Sequence, residues 1–283
     1  MLRIAIQAKG RLNEQSTQML SEAGICVEGN DRRFLTKAEN FPVEVLYLRD
    51  DDIPQAVALG AADAGIVGLN EVAEKGFDLE IEQKLGFGGC RLSLAVPKAA
   101  DYSSIEWFNG KKVATSYPKI LSSYFKDKGI EAEIHTISGS VEIAPAVGLG
   151  DAIFDIVSSG GTLVRNGLKE IETVLSSEAV LIAGKNIEEE KKAVLEQIKF
   201  RFGAVIDSRD KKYLLMNIPN ERLEEAVRIL PSMRSPTILP LAQDGWSSLH
   251  SVVEKHLLWE KIEKLKAIGA EGILVLSVEK LVL

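Results

Sequence analysis

The sequence predicts an α/β protein of two lobes followed by a small module, and three observations lead to this prediction. Short apolar runs alternate with helical stretches up to residue 185, which is typical of mainly parallel sheets covered by helices. The apolar run 179–183 comes after the second lobe and is placed to return to the first, so strands cross between the lobes. The remaining residues show the order βαββαβ of a ferredoxin-like module.

The predicted first lobe comprises residues 1–91 and 164–185, and the predicted second lobe comprises residues 92–163. The elements expected in the first lobe are a helix ending at Gly24 and the strands 4–6, 43–48, 61–67 and 179–183. Those expected in the second lobe are a helix near 120–128 and the strands 92–97, 112–114 and 133–137. Two such lobes leave a cleft between them, where small ligands commonly bind.

Residues 186–283 are predicted to form the C-terminal module, which begins with a charged helical stretch. Its expected strands are 213–217, 237–241, 249–253 and 273–277, and its expected helices are 221–230 and 257–268. Modules of this type often bind small regulators, which makes a regulatory role a hypothesis for this part of the chain.

Composition narrows the possible functions. A net charge of −7 argues against general nucleic-acid binding, so anionic ligands must meet local clusters of lysine and arginine. Two cysteines, Cys26 and Cys90, and three widely spaced histidines indicate neither a disulfide framework nor a zinc site. The first residues read as a strand, and no apolar run is long enough to cross a membrane. We therefore expect a cytoplasmic protein with no membrane or nucleic-acid partner.

The segment 151–162 carries the strongest functional signal. An acid, Asp155, lies inside an apolar strand, and a loop of hydroxyls and glycines follows at once, before a short helical start at 163–168. The residues of this loop are Ser158, Ser159, Gly160, Gly161 and Thr162. Backbone N–H groups, three hydroxyls and a helix N-terminus around one point suit a phosphate. Asp155 can accept hydrogen bonds from sugar hydroxyls, so the combination indicates a sugar phosphate.

Alternatives remain for this segment. No lysine follows the glycines, so the nucleotide-binding P-loop pattern is excluded. A serine that merely caps a helix is the simplest other interpretation. Asp151 is a further candidate for substrate binding, and its alternative is a solvent-facing strand acid.

Seven motifs, in their order and spacing, resemble those of the long-form ATP phosphoribosyltransferase family, and the resemblance runs essentially end to end. They are KGRL at 9–12, LRDDDIP at 48–54, GGCRL at 88–92, ATSYP at 114–118, GSVE at 139–142, DAIFDIVSSGGT at 151–162 and SPTI at 235–238. Any one of them alone is a weak signal.

The resemblance implies a reaction that joins ATP, through adenine N1, to phosphoribosyl pyrophosphate with release of pyrophosphate. It also implies two periplasmic-binding-protein-like lobes, a C-terminal ACT-like domain that binds histidine as a feedback inhibitor, homo-oligomers (dimers and hexamers) and the use of Mg²⁺. Adenine N1 carries a free lone pair at pH 7, so no strong general base is needed. Positioning and electrostatics should supply most of the catalysis. The sequence does not identify the protein ligands of the metal.

For the first lobe, the resemblance places the cations Lys9 and Arg11 against ATP or pyrophosphate. Arg49 is expected to line the same cleft, and its alternative is a local salt bridge with the aspartates that follow it. Arg32 and Arg33 are adjacent, and the match does not decide which of them faces the ligand. Arginine suits this work because its planar fork binds phosphate bidentately.

For the second lobe, the resemblance implies that the loop 158–162 holds the 5-phosphate and that Asp155 binds the ribose hydroxyls. The candidate catalytic residues are Arg11, Arg32, Arg33 and Asp155. Tyr117 and Glu142 are candidates for contacts with adenine or ribose. Ordinary packing under the turn is the alternative for Tyr117.

For the C-terminal module, the resemblance implies that Asn217 and Thr237 line a histidine pocket and that Met233 supplies an apolar wall. Polar residues that only bond to the backbone at strand ends are the alternative.

Two other functions are compatible with parts of the sequence. A solute-binding protein shares the two-lobed architecture, but it would normally carry an export signal and would not need the basic clusters. A phosphoribosyltransferase with another acceptor would share the phosphate loop. The appended module and the order of the motifs favour ATP as the acceptor.

Overall fold

The computed structural model describes residues 1–27, 34–231, 233 and 235–283, which form two compact units. The first unit comprises Met1–Ser21 and Ile25–Lys199, and the second comprises Glu22–Gly24 and Phe200–Leu283. The division between residues 199 and 200 falls within the helix Glu189–Arg209, so it lies later in the chain than the boundary predicted at residue 186. None of the described helices is long and apolar enough to span a membrane.

The first unit contains two sheets with their helices. Its strands are β1 (Leu2–Gln7), β2 (Leu35–Lys37), β3 (Val43–Leu48), β4 (Ala64–Gly68), β5 (Glu80–Lys84), β6 (Cys90–Pro97), β7 (Lys112–Thr115), β8 (Glu133–Thr136), β9 (Ala152–Val157), β10 (Leu168–Ser177) and β11 (Ala179–Ala183). Its helices are α1 (Arg11–Glu22), α2 (Ile53–Ala58), α3 (Leu69–Lys75), α4 (Pro118–Lys128), α5 (Gly161–Arg165) and the start of α6 (Glu189–Arg209).

The sheet of the first lobe has the order β2-β3-β1-β4-β11-β5. Its central strands β3, β1 and β4 are parallel, and β1 and β11 are almost wholly buried apolar runs, as expected for strands covered on both faces. Helix α2 lies directly on β4. A Cβ at Gly65 would stand 2.6 Å from Cγ2 of Ile53, so glycine permits this close approach.

The sheet of the second lobe has the order β10-β6-β9-β7-β8. One face packs on α4 and Phe108, and the other carries a smaller core that includes Val141 and Leu163. The chain crosses from the first sheet to the second between β5 and β6 and returns between β10 and β11. The prediction of two α/β lobes with crossing strands is therefore confirmed.

The boundary predicted at residue 164 differs from the sheet pairing. Leu168–Ser177 was expected to belong partly to a helical start and wholly to the first lobe, but β10 pairs with β6 in the second sheet. Only β11 of the segment 164–185 lies in the first sheet. Three strands were missed (β2, β5 and β10), and all three are sheet edges. Edge strands are often polar and short of apolar alternation, because only part of their surface is buried.

The second unit contains β12 (Lys211–Pro219), α7 (Leu223–Ile229), β13 (Thr237–Pro240), β14 (Trp246–Glu254), α8 (Leu258–Ala267) and β15 (Glu271–Ser277). Its antiparallel sheet has the order β13-β14-β12-β15, which is the ferredoxin-like arrangement predicted from the sequence. Leu214, Met216 and Leu249 lie on one sheet face and form the core with α7 and α8.

Candidate active site

The carboxyl ends of three parallel strands meet at one edge of the second lobe's sheet. Strand β7 is parallel to both β8 and β9. The segments that follow these strands, 116–118, 137–142 and 158–162, therefore lie along the same edge. In open α/β sheets, ligands bind in the crevice outside such ends.

The first lobe has an equivalent edge. Strands β1, β3 and β4 are parallel, and they are followed by Lys9 and Arg11, by Arg49, and by Asn70 and Glu71 respectively. Three predicted cations thus share one edge with a buried amide and a buried carboxylate.

Hydrogen bonds join the two edges. The Tyr117 hydroxyl donates to Oε1 of Glu71 at 2.7 Å, and Nδ2 of Asn70 donates to that hydroxyl at 3.2 Å. Burial is the main cause that raises the pKa of Glu71 and the pKa of Tyr117. Both therefore stay protonated to higher pH than usual, which suits a hydrogen bond out of water. The carboxyl-end edges of the two lobes face each other at this contact.

A second contact ties α3 to the start of α4. Glu74 accepts hydrogen bonds from the backbone N–H groups of Lys119 and Ile120, both at 3.0 Å. These amides belong to the first turn of α4 and have no intrahelical partner. A carboxylate of the first lobe thus caps a helix of the second, which favours one relative arrangement of the lobes.

The predicted phosphate loop lies between β9 and α5, as expected. Gly160 has a φ of +77°, a left-handed conformation that favours glycine, and α5 begins at the next residue. Ser158, Ser159 and Thr162 are exposed. The first amides of a helix lack intrahelical partners, so the loop offers N–H and hydroxyl donors to a ligand.

Asp155 lies on β9, close to this loop, and is half-buried. Desolvation raises the pKa of its carboxyl to about 6, with a further contribution from the charge of Glu142. The backbone N–H of Ile156 counteracts part of this shift. A carboxylate that is incompletely paired in the described structure is poised to accept hydrogen bonds from a ligand.

Glu142 lies in the 3₁₀ turn Val141–Ile143, on the same edge as the loop. The preceding residue, Ser140, has a φ of +51°, which is uncommon for a residue other than glycine. Strained backbone of this kind often occurs at functional sites. The turn brings Glu142 close enough to Asp155 for the two charges to interact.

Asp151 does not lie at the predicted site. It precedes β9, whereas the loop follows β9, so the whole strand separates them. Its Oδ2 accepts a hydrogen bond from the backbone N–H of Lys112 at 2.8 Å, next to the first residue pair of β7 and β9. The structure favours the alternative of a solvent-facing strand acid, because strand direction puts it at the opposite end.

The predicted cations of the first lobe are accessible. Lys9 and Arg11 are exposed at the start of α1. Arg49 is also exposed, and its Nε lies 3.3 Å from Oδ1 of Asp51, which is the local salt bridge considered as its alternative. An exposed pair of this kind contributes little stability, so it leaves Arg49 free to exchange partners. Arg32 and Arg33 lie outside the described residues.

The side chain of Tyr117 is buried, with its hydroxyl bonded to Glu71 and Asn70. This arrangement differs from the predicted contact with adenine or ribose and agrees with the packing alternative. The ring packs in the core of the second lobe, and the hydroxyl bonds to the first lobe. Tyr117 therefore links the lobes instead of facing a ligand.

Sequence reasoning missed several polar residues around the site. Arg91 and Glu170 form a bidentate ion pair beside the loop, and the guanidinium also donates to the carbonyl oxygen of Ser158. Asn70 and Glu71 were missed as well. The GGCRL motif contained the signal for Arg91, but Glu170 lies 79 residues further along, on a strand that was not predicted.

The predicted regulatory residues lie in the second unit. Asn217 is on β12 opposite Ser248, and Thr237 is on β13 opposite His250, so both point to the sheet face away from the helical core. Met233 is exposed in the preceding loop. On this same face the Tyr213 hydroxyl lies 2.8 Å from Nδ1 of His250.

The donor set fits a metal ion that the protein shares with a substrate. Among the described residues, no group of three or more His, Cys, Asp or Glu side chains could hold a metal ion by itself. Mg²⁺ usually keeps several waters and binds one or two carboxylates together with substrate phosphates. Asp155 and Glu142 are two interacting carboxylates at the loop edge, which is the number this coordination needs.

Comparisons with known proteins identify the family of this chain. The family model described as ATP phosphoribosyltransferase matches residues 49–204, and that of its C-terminal domain matches residues 208–280. The chain is 58% identical over 283 residues to an ATP phosphoribosyltransferase of Bacteroides fragilis, with all of both chains covered. It is 52% identical to one of Cytophaga hutchinsonii, covering 99% of this chain and 98% of that one.

A solved structure is also similar. The ATP phosphoribosyl transferase (HisG:HisZ) complex from Thermotoga maritima contains a chain 28% identical, with a TM-score of 0.61. The alignment covers 71% of this chain and 98% of that one.

The fold and these matches define a two-lobed transferase that acts on a phosphorylated sugar. The chain belongs to the ATP phosphoribosyltransferase family, and it transfers the phosphoribosyl group of phosphoribosyl pyrophosphate to ATP in the first step of histidine biosynthesis. The family is consistent with a requirement for a divalent metal.

Proposed function

We propose that the loop 158–162 binds the 5-phosphate of phosphoribosyl pyrophosphate and that Asp155 accepts hydrogen bonds from its ribose hydroxyls. The single observation that carries this proposal is the half-buried Asp155 carboxyl beside an exposed loop of N–H and hydroxyl donors. Such a pair matches a sugar phosphate at both of its ends. Anchored there, the anomeric carbon faces the edge of the first lobe.

The proposed metal is Mg²⁺. Asp155 and Glu142 would hold it together with the substrate. When bound, it would neutralise charge on the departing pyrophosphate.

The cations of the first lobe complete the proposed site. Lys9, Arg11 and Arg49 approach from the opposite edge, where the triphosphate of ATP or the leaving pyrophosphate can meet them. Arg32 and Arg33 are proposed for the same work on the resemblance alone. The protein then has two tasks: to orient adenine N1 towards the anomeric carbon, and to stabilise the pyrophosphate as it leaves.

The direct test of this site is the Asp155→Asn variant, with Asp151→Asn, just before the start of the same strand, as its matched control. Losing hydrogen bonds to a charged acceptor should raise the KM for phosphoribosyl pyrophosphate about 100-fold, with a much smaller effect on the KM for ATP. Asp151→Asn keeps an acceptor for the Lys112 amide and should change neither constant by more than about twofold.

The readout of that test is the ultraviolet absorbance of the adenine product, with pyrophosphatase present to draw the reaction forward. Equal losses for both substrates in Asp155→Asn would contradict the assignment. So would an unchanged KM for phosphoribosyl pyrophosphate in Thr162→Val, which removes a loop hydroxyl at nearly constant volume.

The second unit is proposed to bind histidine and to mediate feedback inhibition. Asn217 and Thr237 project from the same sheet face, on either side of Ser248 and His250 of the strand between them, so this face offers several polar groups to a small amino acid. Asn217→Ala should reduce inhibition by histidine and leave the uninhibited rate unchanged. Undetectable histidine binding to the intact wild-type protein, by calorimetry, would remove this assignment.

We also propose that the chain assembles as dimers and hexamers, and that it works in the cytoplasm, where both substrates are metabolites. Leu239, Leu274 and Leu276 are exposed on the open sheet face of the second unit, and apolar surface of this kind favours self-association. Light scattering behind size exclusion, with and without histidine, measures the assembly. A monomer under all conditions would exclude it.

A further inference from the structure

We propose that Arg91 and Glu170 are positioning residues that hold the loop 158–162 in its phosphate-binding conformation. This inference rests on the proposed function of that loop. Neither residue was assigned a role by the sequence motifs, and neither takes part in the lobe-to-lobe hydrogen bonds described above. Arg91 instead bonds both to Glu170 and to the backbone of the loop.

The guanidinium of Arg91 connects the loop to the edge strand β10. Its Nε and Nη2 donate to the two carboxylate oxygens of Glu170, both at 2.5 Å, and its Nη1 donates to the carbonyl oxygen of Ser158 at 3.0 Å. A planar fork held at two points has little freedom to rotate. The third hydrogen bond therefore has a defined direction.

That third bond orients a donor of the loop. The carbonyl of Ser158 and the N–H of Ser159 belong to one planar trans peptide group, in which the two point in opposite directions. Drawing the carbonyl towards Arg91 turns the Ser159 N–H away from it. The bond from Arg91 thus selects one orientation of an amide at the start of the proposed phosphate site.

Glu170 is itself held in place. Its Oε1 accepts from the Ser93 hydroxyl at 2.7 Å, and the Thr173 hydroxyl approaches it at 3.5 Å. In a regular strand, residues three apart point to opposite faces, but β10 has register irregularities between Glu170 and Glu172 and between Thr173 and Leu175. These bulges bring Glu170 and Thr173 to the same face as Ser93, and bulges often re-aim side chains beside active sites.

Charge balance favours positioning over direct attraction. The Arg91 guanidinium is the main cause that lowers the pKa of Glu170, so this carboxyl stays ionised and neutralises the arginine. A neutral pair adds little net charge for an incoming phosphate. What the pair supplies is a fixed hydrogen-bond geometry.

The test compares Arg91→Lys and Glu170→Gln with Glu172→Gln as the matched control. Arg91→Lys keeps the charge and loses the fork, and it should raise the KM for phosphoribosyl pyrophosphate about tenfold with the KM for ATP within about twofold. Glu172 is on the same strand, but it accepts from the Tyr124 hydroxyl on the other face, so Glu172→Gln should leave both constants unchanged.

A double variant and hydrogen exchange separate positioning from general damage. If Glu170 acts only through Arg91, the double variant should lose no more affinity than Arg91→Lys alone. The amides of Ser159 to Thr162 should exchange faster in both single variants at unchanged thermal stability. Should Arg91→Lys fail to fold, Glu170→Gln carries the same two measurements.

Ribose 5-phosphate binding to the variants distinguishes the possible failures. If Thr162→Val weakens this ligand but Arg91→Lys and Glu170→Gln do not, the positioning role is overturned and the loop assignment stands. If Thr162→Val has no effect either, the loop assignment itself fails. Full affinity in Arg91→Lys would show that Arg91 acts by its charge alone, which also overturns the proposal.

Discussion

The two facing edges of the first unit offer different groups to an anion. On the second lobe, the loop 158–162 offers N–H and hydroxyl donors, and a hydrogen-bonded network around Arg91 holds it. On the first lobe, Lys9 and Arg11 are long exposed cations. A loop with fixed donors suits a small phosphate monoester, whereas flexible cations suit a polyphosphate that changes position during the reaction. In the proposed function, one edge therefore anchors the phosphoribosyl donor and the other binds the pyrophosphate as it leaves.

Burial makes the Asp155 carboxyl costly to ionise, so removing its charge should stabilise the protein. Its folded-state pKa of about 6 exceeds the ordinary value of 3.8, so the unfolded chain ionises first as pH rises. Stability is therefore lost between about pH 4 and pH 6, and the loss is complete above pH 6. Asp155→Asn should gain up to about 3 kcal/mol at pH 8 and almost nothing at pH 4. Hydrogen exchange of the β9 amides measures this gain, and a less stable variant at pH 8 would contradict it.

The same pKa predicts how substrate affinity depends on pH. At pH 5 about one-tenth of Asp155 is ionised, so the KM for phosphoribosyl pyrophosphate should rise about tenfold between pH 8 and pH 5. The 5-phosphate also titrates in this range. Asp155→Asn therefore provides the baseline, and only the excess in the wild type belongs to Asp155. If the KM for phosphoribosyl pyrophosphate changed with pH in the same way in the wild type and in Asp155→Asn, ionisation of Asp155 would not control substrate affinity.

The KM values for the two substrates should depend on salt concentration to different extents. Arg11→Ala should raise the KM for ATP about fivefold at low ionic strength, because an exposed cation acts mainly through long-range attraction that salt screens. The KM for phosphoribosyl pyrophosphate should respond less, since its monoester meets oriented backbone donors. Titrating KCl from 20 mM to about 300 mM in steady-state assays compares the slopes. Equal slopes for both substrates would remove the distinction between the edges.

We expect the smallest effect from removing the hydrogen bond between Tyr117 and Glu71, which joins the two edges. Tyr117→Phe leaves the buried Glu71 carboxyl without its main donor and should cost about 1 kcal/mol of stability, together with a severalfold lower kcat. Tyr124→Phe is the matched control, because its hydroxyl donates to Glu172 within the second lobe. That variant should lose comparable stability with kcat unchanged. Denaturation curves and kcat for both variants decide whether the lobe-to-lobe bond matters for turnover.

The local pattern of apolar residues was enough to predict most of the strands. The buried runs of β1 and β11 are read directly from the apolar pattern, because strands covered on both faces carry few polar residues. The sequence also predicted correctly that the loop 158–162 lies between a strand and a helix, which are β9 and α5. The strands that were missed, such as β5 and β10, are edges whose charged residues hide the alternation.

The sequence by itself therefore determined the lobes, the C-terminal module and the position of the loop and of Asp155, because each of these depends on residues close together in the chain. Only the tertiary structure decided that Asp151 lies at the wrong end of β9, that Tyr117 is buried against Glu71, and that Glu170 meets Arg91. Glu71 and Tyr117 are 46 residues apart, and Arg91 and Glu170 are 79 apart. Contacts at such distances are set by strand direction, register and bulges, which no local pattern specifies.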